Sequence, residues 1–378
     1  MNKTKKEQRE KMTKLAEKSI LYKPYVIKKL YRLSTSKRKE IVENTIEKYT
    51  NENNLSKKDK LNLKRDMVYC RVHYNLSFKE YFLFGFKNKS HLKRKNFITN
   101  MNRQNYLYML GEKEGQEILN DKYKTYEILK KFYKRDIIKI NNENFKEFND
   151  YIKKHPTFVK KPIDSSFGKG IELINSKDYK DPKKLFSYVL EDGPVILEEQ
   201  IIQHKTTASL HPESLNTIRI VTYRDEKDNV FIQLPFMKIG QGSSFVDNGG
   251  AGGMFARIDK ETGKLITDGK DENNIVYKYH PDTNIKIKGF QIPEWNKAIK
   301  LAKEAALAFD KTRYIGWDIA ITNKNEVLIV EGNGKTQFLG QQMTDEIGKK
   351  KELEKLINYK KLKKQYKNIE KWELPVNN

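Results

Sequence analysis

Asp318, Glu331 and Asn333 sit in two neighbouring β-like runs, Ile315-Gly-Trp-Asp-Ile-Ala-Ile-Thr322 and Val327-Leu-Ile-Val-Glu-Gly-Asn333, joined over Asn323-Lys324-Asn325. Strand side chains alternate faces, so Gly316, Asp318 and Ala320 share one face while Ile315, Trp317 and Ile319 share the other. Glu331 and Asn333 likewise share a face, and a hairpin brings Asp318 opposite them. Two carboxylates and an amide oxygen suit Mg²⁺, a hard cation that keeps water or phosphate oxygens in its remaining positions. A solvated polar edge strand would carry the same residues.

A second constellation lies upstream. Thr157-Phe-Val-Lys-Lys-Pro162 reads as a strand that delivers a lysine, and Asp164-Ser-Ser-Phe-Gly-Lys-Gly170 follows as a polar, glycine-containing loop. Backbone N–H groups of such a loop can cradle phosphates while the lysine neutralises their charge. An ordinary hairpin turn would also read this way. The G-x-x-x-x-G-K-[ST] spacing is missing, and a strand rather than a helix is expected next, which excludes the two best-known phosphate loops. Val195-Ile-Leu-Glu-Glu-Gln-Ile-Ile202 reads as an apolar strand running into a segment whose backbone could bond a flat base. Arg219 falls among apolar neighbours in Thr217–Tyr223, and a buried arginine needs a partner: a carboxylate, or a phosphoryl group suited to its fork.

The elements that must hold these residues differ along the chain. Residues 1–70 read as helices with Lys between loosely spaced apolar positions, and a break is expected at Pro24. Aromatic-rich turns follow to residue 120, with a further helix over Asp121–Lys134. From Ile137 short strands alternate with turns, including Val230–Met237 and a long Gly/Ser/Asp/Asn loop over Gly240–Gly253. Glu294–Phe309 is an amphipathic helix, and Asp345–Lys371 reads as one charged helix.

The charge is uneven. The net charge is +25, and the first hundred residues hold 27 Lys and Arg against 10 Asp and Glu. Such a field favours acidic partners, and equally fits a solvated Lys-rich surface. The lone Cys70 excludes an intrachain disulfide or cysteine metal site. No secretory signal and no apolar run near the roughly 20 residues that span a bilayer is visible, so a cytoplasmic location without a transmembrane segment is expected.

Taken in order, the lysine strand, glycine loop, acidic hinge, arginine strand, aspartate strand and Glu-x-Asn end resemble the ATP-grasp superfamily. The wording is most similar to its sugar-transfer-associated family, on Ser214-Leu-Asn-Thr-Ile-Arg-Ile-Val-Thr222, Val246-Asp-Asn-Gly-Gly-Ala-Gly-Gly253, Gly316-Trp-Asp-Ile-Ala320 and Glu331-Gly-Asn333. The resemblance covers roughly residues 75–345 and implies an α+β ATP-grasp fold, two α+β subdomains gripping ATP, preceded by a basic helical N-terminal region. Expected units are a basic helical region over 1–74, a helical segment over 75–136, a lid subdomain with loop and hinge over 137–202, a subdomain with the Mg²⁺ site over 203–345, and a C-terminal helix over 346–378.

The same resemblance implies roles. Lys161, which directly precedes Pro162, and Lys122 would contact ATP phosphates under a lid containing Ser165, Ser166, Gly168 and Gly170. Glu199, Gln200 and Ile202 would form the adenine hinge. Arg219, with Lys161, would act on the transferring phosphoryl group, Asp318, Glu331 and Asn333 would hold Mg²⁺, and Asp247 and Asn248 would face the acceptor. The implied activity is an ATP-dependent ligase that activates a carboxylate as an acyl phosphate for attack by an amine or similar nucleophile, on a small-molecule or glycan acceptor, with a role in surface polysaccharide. A kinase on the same fold and a non-enzymatic polyanion-binding protein are the alternatives. An acidic partner is expected for the basic region, and nucleic acid is not.

Overall fold

The computed structural model describes residues 3–18, 22–50, 55–163, 170–243, 245, 247 and 252–365. The chain opens with helices α1 (Lys3–Lys18), α2 (Lys23–Arg32), α3 (Ser36–Tyr49) and α4 (Lys57–His73). Their starts are written locally. Pro24 occupies the first turn of α2, where no N–H is needed, and Thr35 and Ser56 accept the N–H groups of Arg38 and Asp59. Helices α5 (Phe78–Leu83), α6 (His91–Lys95), α7 (Asn100–Leu110), α8 (Lys113–Asn120) and α9 (Lys122–Tyr133) follow. Ser77 and Glu80 close a reciprocal capping box on α5, and Asp121 caps α9 by accepting from Tyr123 and Lys124.

A smaller antiparallel sheet comes next, built from β1 (Ile137–Ile140), β2 (Thr157–Pro162), β3 (Glu172–Asn175) and β4 (Val195–Glu199) in the order β1-β4-β2-β3. Helices α10 (Phe145–Lys154) and α11 (Pro182–Val189) cover one face, packing on Phe158, Ile174 and Leu197. The strand period puts Lys161, Ile196 and Glu198 on the other face.

After α12 (Lys205–Leu210) the chain builds a larger antiparallel sheet from β5 (Ile218–Arg224), β6 (Val230–Ile239), β7 (Met254–Arg257), β8 (Gly269–Asp271) and β9 (Val276–Tyr277). Helix α13 (Trp295–Ala308) intervenes before β10 (Tyr314–Ile321) and β11 (Val327–Asn333), giving the order β11-β10-β5-β6-β7-β8-β9. Ala298, Leu301, Ala302 and Ala305 of α13 pack over Ile218, Ile220, Trp317, Ile319 and Ile329. Each large side chain buried there contributes roughly 1.5–3 kcal/mol. The opposite face of the same strands is left to Arg219, Lys238 and Asp318.

The N-terminal helices wall part of that opposite face. Met67, Val68, Tyr81, Phe84 and Phe97 share one buried cluster with Phe236 of β6 and Phe255 of β7. Helices α14 (Leu339–Met343), α15 (Lys350–Leu356) and α16 (Tyr359–Gln365) follow. The single C-terminal helix expected over 345–371 is divided: Asn358 has φ +48° between α15 and α16. Asparagine tolerates that left-handed conformation and ends helices there. Residues beyond 365 lie outside the described ones.

Candidate functional site

The site grows from one row of cross-strand neighbours. Arg219 on β5 pairs across the ladder with Asp318 on β10, which pairs with Glu331 on β11. Both irregularities in these ladders fall at this row. One extra residue enters β6 opposite the step from Arg219 to Val221, and one enters β11 between Glu331 and Ile329. Bulges re-aim side chains, and these sit where re-aiming matters.

The Arg219 guanidinium grips Asp318 through Nε and through Nη2 at 2.8 Å, and its Nη1 donates to Thr336 Oγ1 at 3.2 Å. Lys238 Nζ donates to Asp318 Oδ2 at 2.8 Å and stands 4.0 Å from Asp247 Oδ1. Asp247 in turn accepts the Thr217 N–H at 2.8 Å and the Thr217 hydroxyl. Gly316 makes room: a Cβ there would lie 2.5 Å from Thr336 Oγ1 and 3.2 Å from Arg219 Cδ.

The charges divide unequally. Burial opposes ionisation of Asp318, but Arg219 and Lys238 outweigh it and hold the carboxyl well below the usual range. Glu331 goes the other way: burial, then the neighbouring Asp318, pushes its carboxyl up. Asn333 Nδ2 donates to Glu331 Oε1 at 3.1 Å. Asp318 and Glu331 also share a hydrogen bond with each other. Two carboxyl groups in contact beside an amide oxygen fit a hard divalent cation, which would offset the repulsion that raises Glu331.

A second ionic assembly lies on the inward face of the smaller sheet. Glu198 is buried and accepts from Lys161 Nζ at 2.8 Å and from Arg135 Nη2 at 2.7 Å. Burial alone would raise its carboxyl; the Lys161 and Arg135 charges hold it down to about 2. Arg135 also donates to the carbonyls of Ile329 at 2.6 Å and Val330 at 3.0 Å, at the bulge beside Glu331. It therefore ties the two sheets together.

A family model described as sugar-transfer associated ATP-grasp matches residues 94–358. The chain belongs to the sugar-transfer associated ATP-grasp family. Its fold is the ATP-grasp fold, with the helical region in front. No curated protein matches the chain.

Among solved structures, the ATP-grasp ligase PsnB complexed with minimal precursor is 11% identical, with 61% of this chain and 56% of that chain covered and a TM-score of 0.38. The L-amino acid ligase from Bacillus licheniformis is 15% identical, with 62% and 44% covered and a TM-score of 0.38. The N5-carboxyaminoimidazole synthase from Aspergillus clavatus, in complex with ADP and its ribonucleotide, is 15% identical, with 58% and 46% covered and a TM-score of 0.36. The chain thus spans about half the length of these proteins, and the assignment rests on the family match.

In this ATP-grasp chain Lys160 and Lys161 separate as strand alternation requires. Lys161 faces the larger sheet's side, while Lys160 pairs outward with Glu172 at 2.9 Å. Lys122 Nζ reaches the Ile163 carbonyl at 3.4 Å, at the foot of the glycine loop. Gly170 has φ +71°, and a Cβ there would meet Pro162 at 2.8 Å. Ser165, Ser166, Gly168 and Asn248 lie outside the described residues.

The expected hinge crosses from one sheet to the other. Gln203 bridges to Thr322, His204 N donates to Ile321 O at 2.8 Å, and Ile202 O accepts from Asn323 N at 2.9 Å. Ile202 is exposed, whereas the Glu199 side chain turns away and accepts the Asp136 N–H at 3.1 Å. Asp136, His155 and Glu199 bring ligand-type atoms together, but Asp136 is already paired with Lys154 and with His155 at 2.9 Å.

Asp247 is buried in the same cluster as Asp318. The run His211-Pro-Glu-Ser-Leu-Asn216 folds under the glycine-rich loop: His211 bonds Ser214 Oγ and the Gly242 carbonyl at 2.8 Å each, and Asn216 Oδ1 accepts from Gly240 N at 3.2 Å. The sequence reading missed Arg135, Thr217 and Thr336, and gave Lys238 no definite partner.

Proposed function

We propose that the chain is an ATP- and Mg²⁺-dependent ligase that activates an acceptor carboxylate. The carrying observation is the row Arg219–Asp318–Glu331, with Lys238 and Asn333 beside it, joined to the Lys161–Glu198–Arg135 assembly by the Arg135 bonds to Ile329 and Val330. Lys161, Lys122 and the loop ending at Gly170 take the phosphates, and the Glu199–Ile202 segment takes the base. Asp318, Glu331 and Asn333 hold Mg²⁺, which when bound neutralises phosphate charge as a Lewis acid. Arg219 lies where charge develops on the moving phosphoryl group, held in place by Asp318 and Thr336 before the reaction begins.

The acceptor's carboxylate oxygen forms a bond to the γ-phosphorus as the bond to the β-bridging oxygen breaks and ADP leaves. An amine nitrogen then bonds to the acyl carbon, phosphate departs with the C–O pair, and the amine proton passes to solvent. The chain's contribution is positioning and fixed charge. The family's description favours a glycan acid, or an acid joined to a glycan in surface polysaccharide modification, and a cytoplasmic reaction is part of the proposal. Among the described residues no helix is long and apolar enough to cross a membrane. The basic helices offer a surface for an acidic partner.

The test is Mg-ATP turnover across a panel of acids and amines, with hydroxylamine as trap. Hydroxamate supports the ligase. Acceptor-dependent ADP release with a stable phosphate ester and no hydroxamate means a kinase. No thermal stabilisation at millimolar Mg-ATP removes the nucleotide site.

A further inference from the structure

Residues 18–39 hold eight Lys and Arg and no Asp or Glu, so no acid within this run neutralises them. Helix α2 lies inside it. Val26 and Leu30 are buried and join the cluster of Met67 and Val68, which fixes the side of α2 that faces in. Tyr22, Tyr25, Lys29 and Arg32 recur at spacings of three and four on another side, with Lys28 and Leu33 next to them. Tyr22, Tyr25 and Leu33 are 38%, 52% and 47% exposed, and Lys28 and Arg32 are exposed as well. The Tyr22 and Tyr25 rings stand 5.4 Å apart, and Lys29 Nζ lies over the Tyr25 ring at 5.6 Å.

The neighbouring helices add charge of the same sign. Arg9 of α1 donates from Nη2 to the Leu33 carbonyl at 3.2 Å, at the end of this face. Burial, then Arg9 and Arg71, lower the half-buried Arg38 guanidinium of α3. Guanidinium groups drawn together favour an oxyanion, and their forks match phosphate. On α3, Glu43 is already held by Lys60 at 2.8 Å and by Lys64.

Cations alone would suit any polyanion. The apolar groups decide between partners. Leu33 and two tyrosine rings gain little from a phosphate chain in water. A bilayer surface offers phosphates to the cations and an acyl boundary to Leu33 and the rings. Lysine and arginine stems lie along such a boundary with their charged heads in the phosphate layer.

We propose that α2, with Arg9 and Arg38 at its end, docks the protein on an anionic lipid surface, the helix lying in the plane of the headgroups. The inference rests on the reading of the basic helices as a surface for an acidic partner, and not on the nucleotide site.

The test is co-sedimentation of the full chain with vesicles of phosphatidylcholine alone or of about three parts phosphatidylcholine to one part phosphatidylglycerol. The mixed vesicles bind the chain and the neutral ones do not, and raising salt from about 0.1 to about 0.5 M releases most of it. Lys28→Glu with Arg32→Glu weakens binding about tenfold. Tyr25→Ser with Leu33→Ser weakens it about threefold. These side chains are exposed, so each variant stays folded and binds Mg-AMPPNP within about twofold of the parent. The proposal is overturned if the mixed vesicles bind no protein, if both vesicles bind alike, or if either double variant keeps the parent's affinity. Single-stranded poly(U) bound more tightly than the mixed vesicles overturns the choice of lipid but keeps an acidic partner. Binding of neither removes that partner as well.

Discussion

Two buried carboxylates in this molecule are each gripped by one arginine and one lysine, yet their surroundings differ. Glu198 has Arg135 and Lys161 to itself, so that assembly holds one more positive group than negative. Asp318 has Arg219 and Lys238, but Glu331 and Asp247 stand alongside, so acidic groups outnumber basic ones. The first surplus suits an anion such as phosphate, and the second suits a metal cation. Linked through Arg135, they suit Mg²⁺ and a polyphosphate together. The surplus around each carboxylate, more than its immediate partners, distinguishes a phosphate grip from a metal seat.

The comparison breaks most sharply at Glu198. Glu198→Gln leaves Arg135 and Lys161 buried without their anion and should cost about 3–5 kcal/mol of folding stability, read by urea unfolding. A cost under about 1 kcal/mol would mean that the assembly is not closed. Glu331→Gln should do the opposite. Folding changes by less than about 1 kcal/mol, because a neutral amide replaces a carboxyl already pushed toward neutrality, whereas acceptor-dependent turnover loses roughly 2–4 kcal/mol of transition-state stabilisation. Turnover within a factor of about three of the parent would remove Glu331 from the metal seat.

The two lysines of β2 sharpen the contrast at smaller scale. Lys161→Met should weaken Mg-ATP about tenfold, or about 1.4 kcal/mol, in a calorimetric titration. Lys160→Met should leave that affinity unchanged, since Lys160 faces Glu172 and the Tyr188 ring.

The smallest effect is in the pH profile, under about 1.4 kcal/mol per pH unit for one proton. Glu198, held down to about 2, adds stability above the unfolded glutamate value near 4.3, and that stability is lost as pH falls from there toward about 2. Glu331, pushed up, subtracts stability as pH rises through its folded value, and the penalty is absent in acid. The stability gap between the parent and Glu198→Gln should therefore close below pH 4. Glu331→Gln should gain on the parent as pH rises above that. Parallel curves for all three would contradict both assignments.

Much of this site was legible because strand alternation is simple. Period two put Asp318 with Gly316 and away from Trp317, and it separated Lys160 from Lys161. Pro235 could have marked the bulge of β6, since proline inside a sheet is confined to edges and bulges, but the bulge of β11 carried no comparable signal, because Val330 is an ordinary apolar residue whose register depends on partners. Arg135 was silent for the same reason. It sits in a basic run before β1, while Glu198 and the Ile329 carbonyl lie 63 and 194 residues away. The partner of Lys238 was not legible either, because Asp318 is 80 residues on. The division between α15 and α16 was more accessible, since Asn358 is a residue type that ends helices. The aromatic content of residues 71–120 marked packed turns, but not their burial against Phe236 and Phe255.

Arg135 fastens the smaller sheet to the larger beside β1 and against the bulge of β11, alongside the crossing at Ile202–His204. That makes the smaller sheet a lever with its fulcrum at one edge. In the order β1-β4-β2-β3, strand β3 is farthest from the fulcrum and would sweep the widest arc if the two sheets moved apart. Glu198 would barely travel, and Lys161 on β2 would move by an intermediate amount. Such a motion would leave the rivet at Arg135 closed, which spares the molecule from exposing that buried charge.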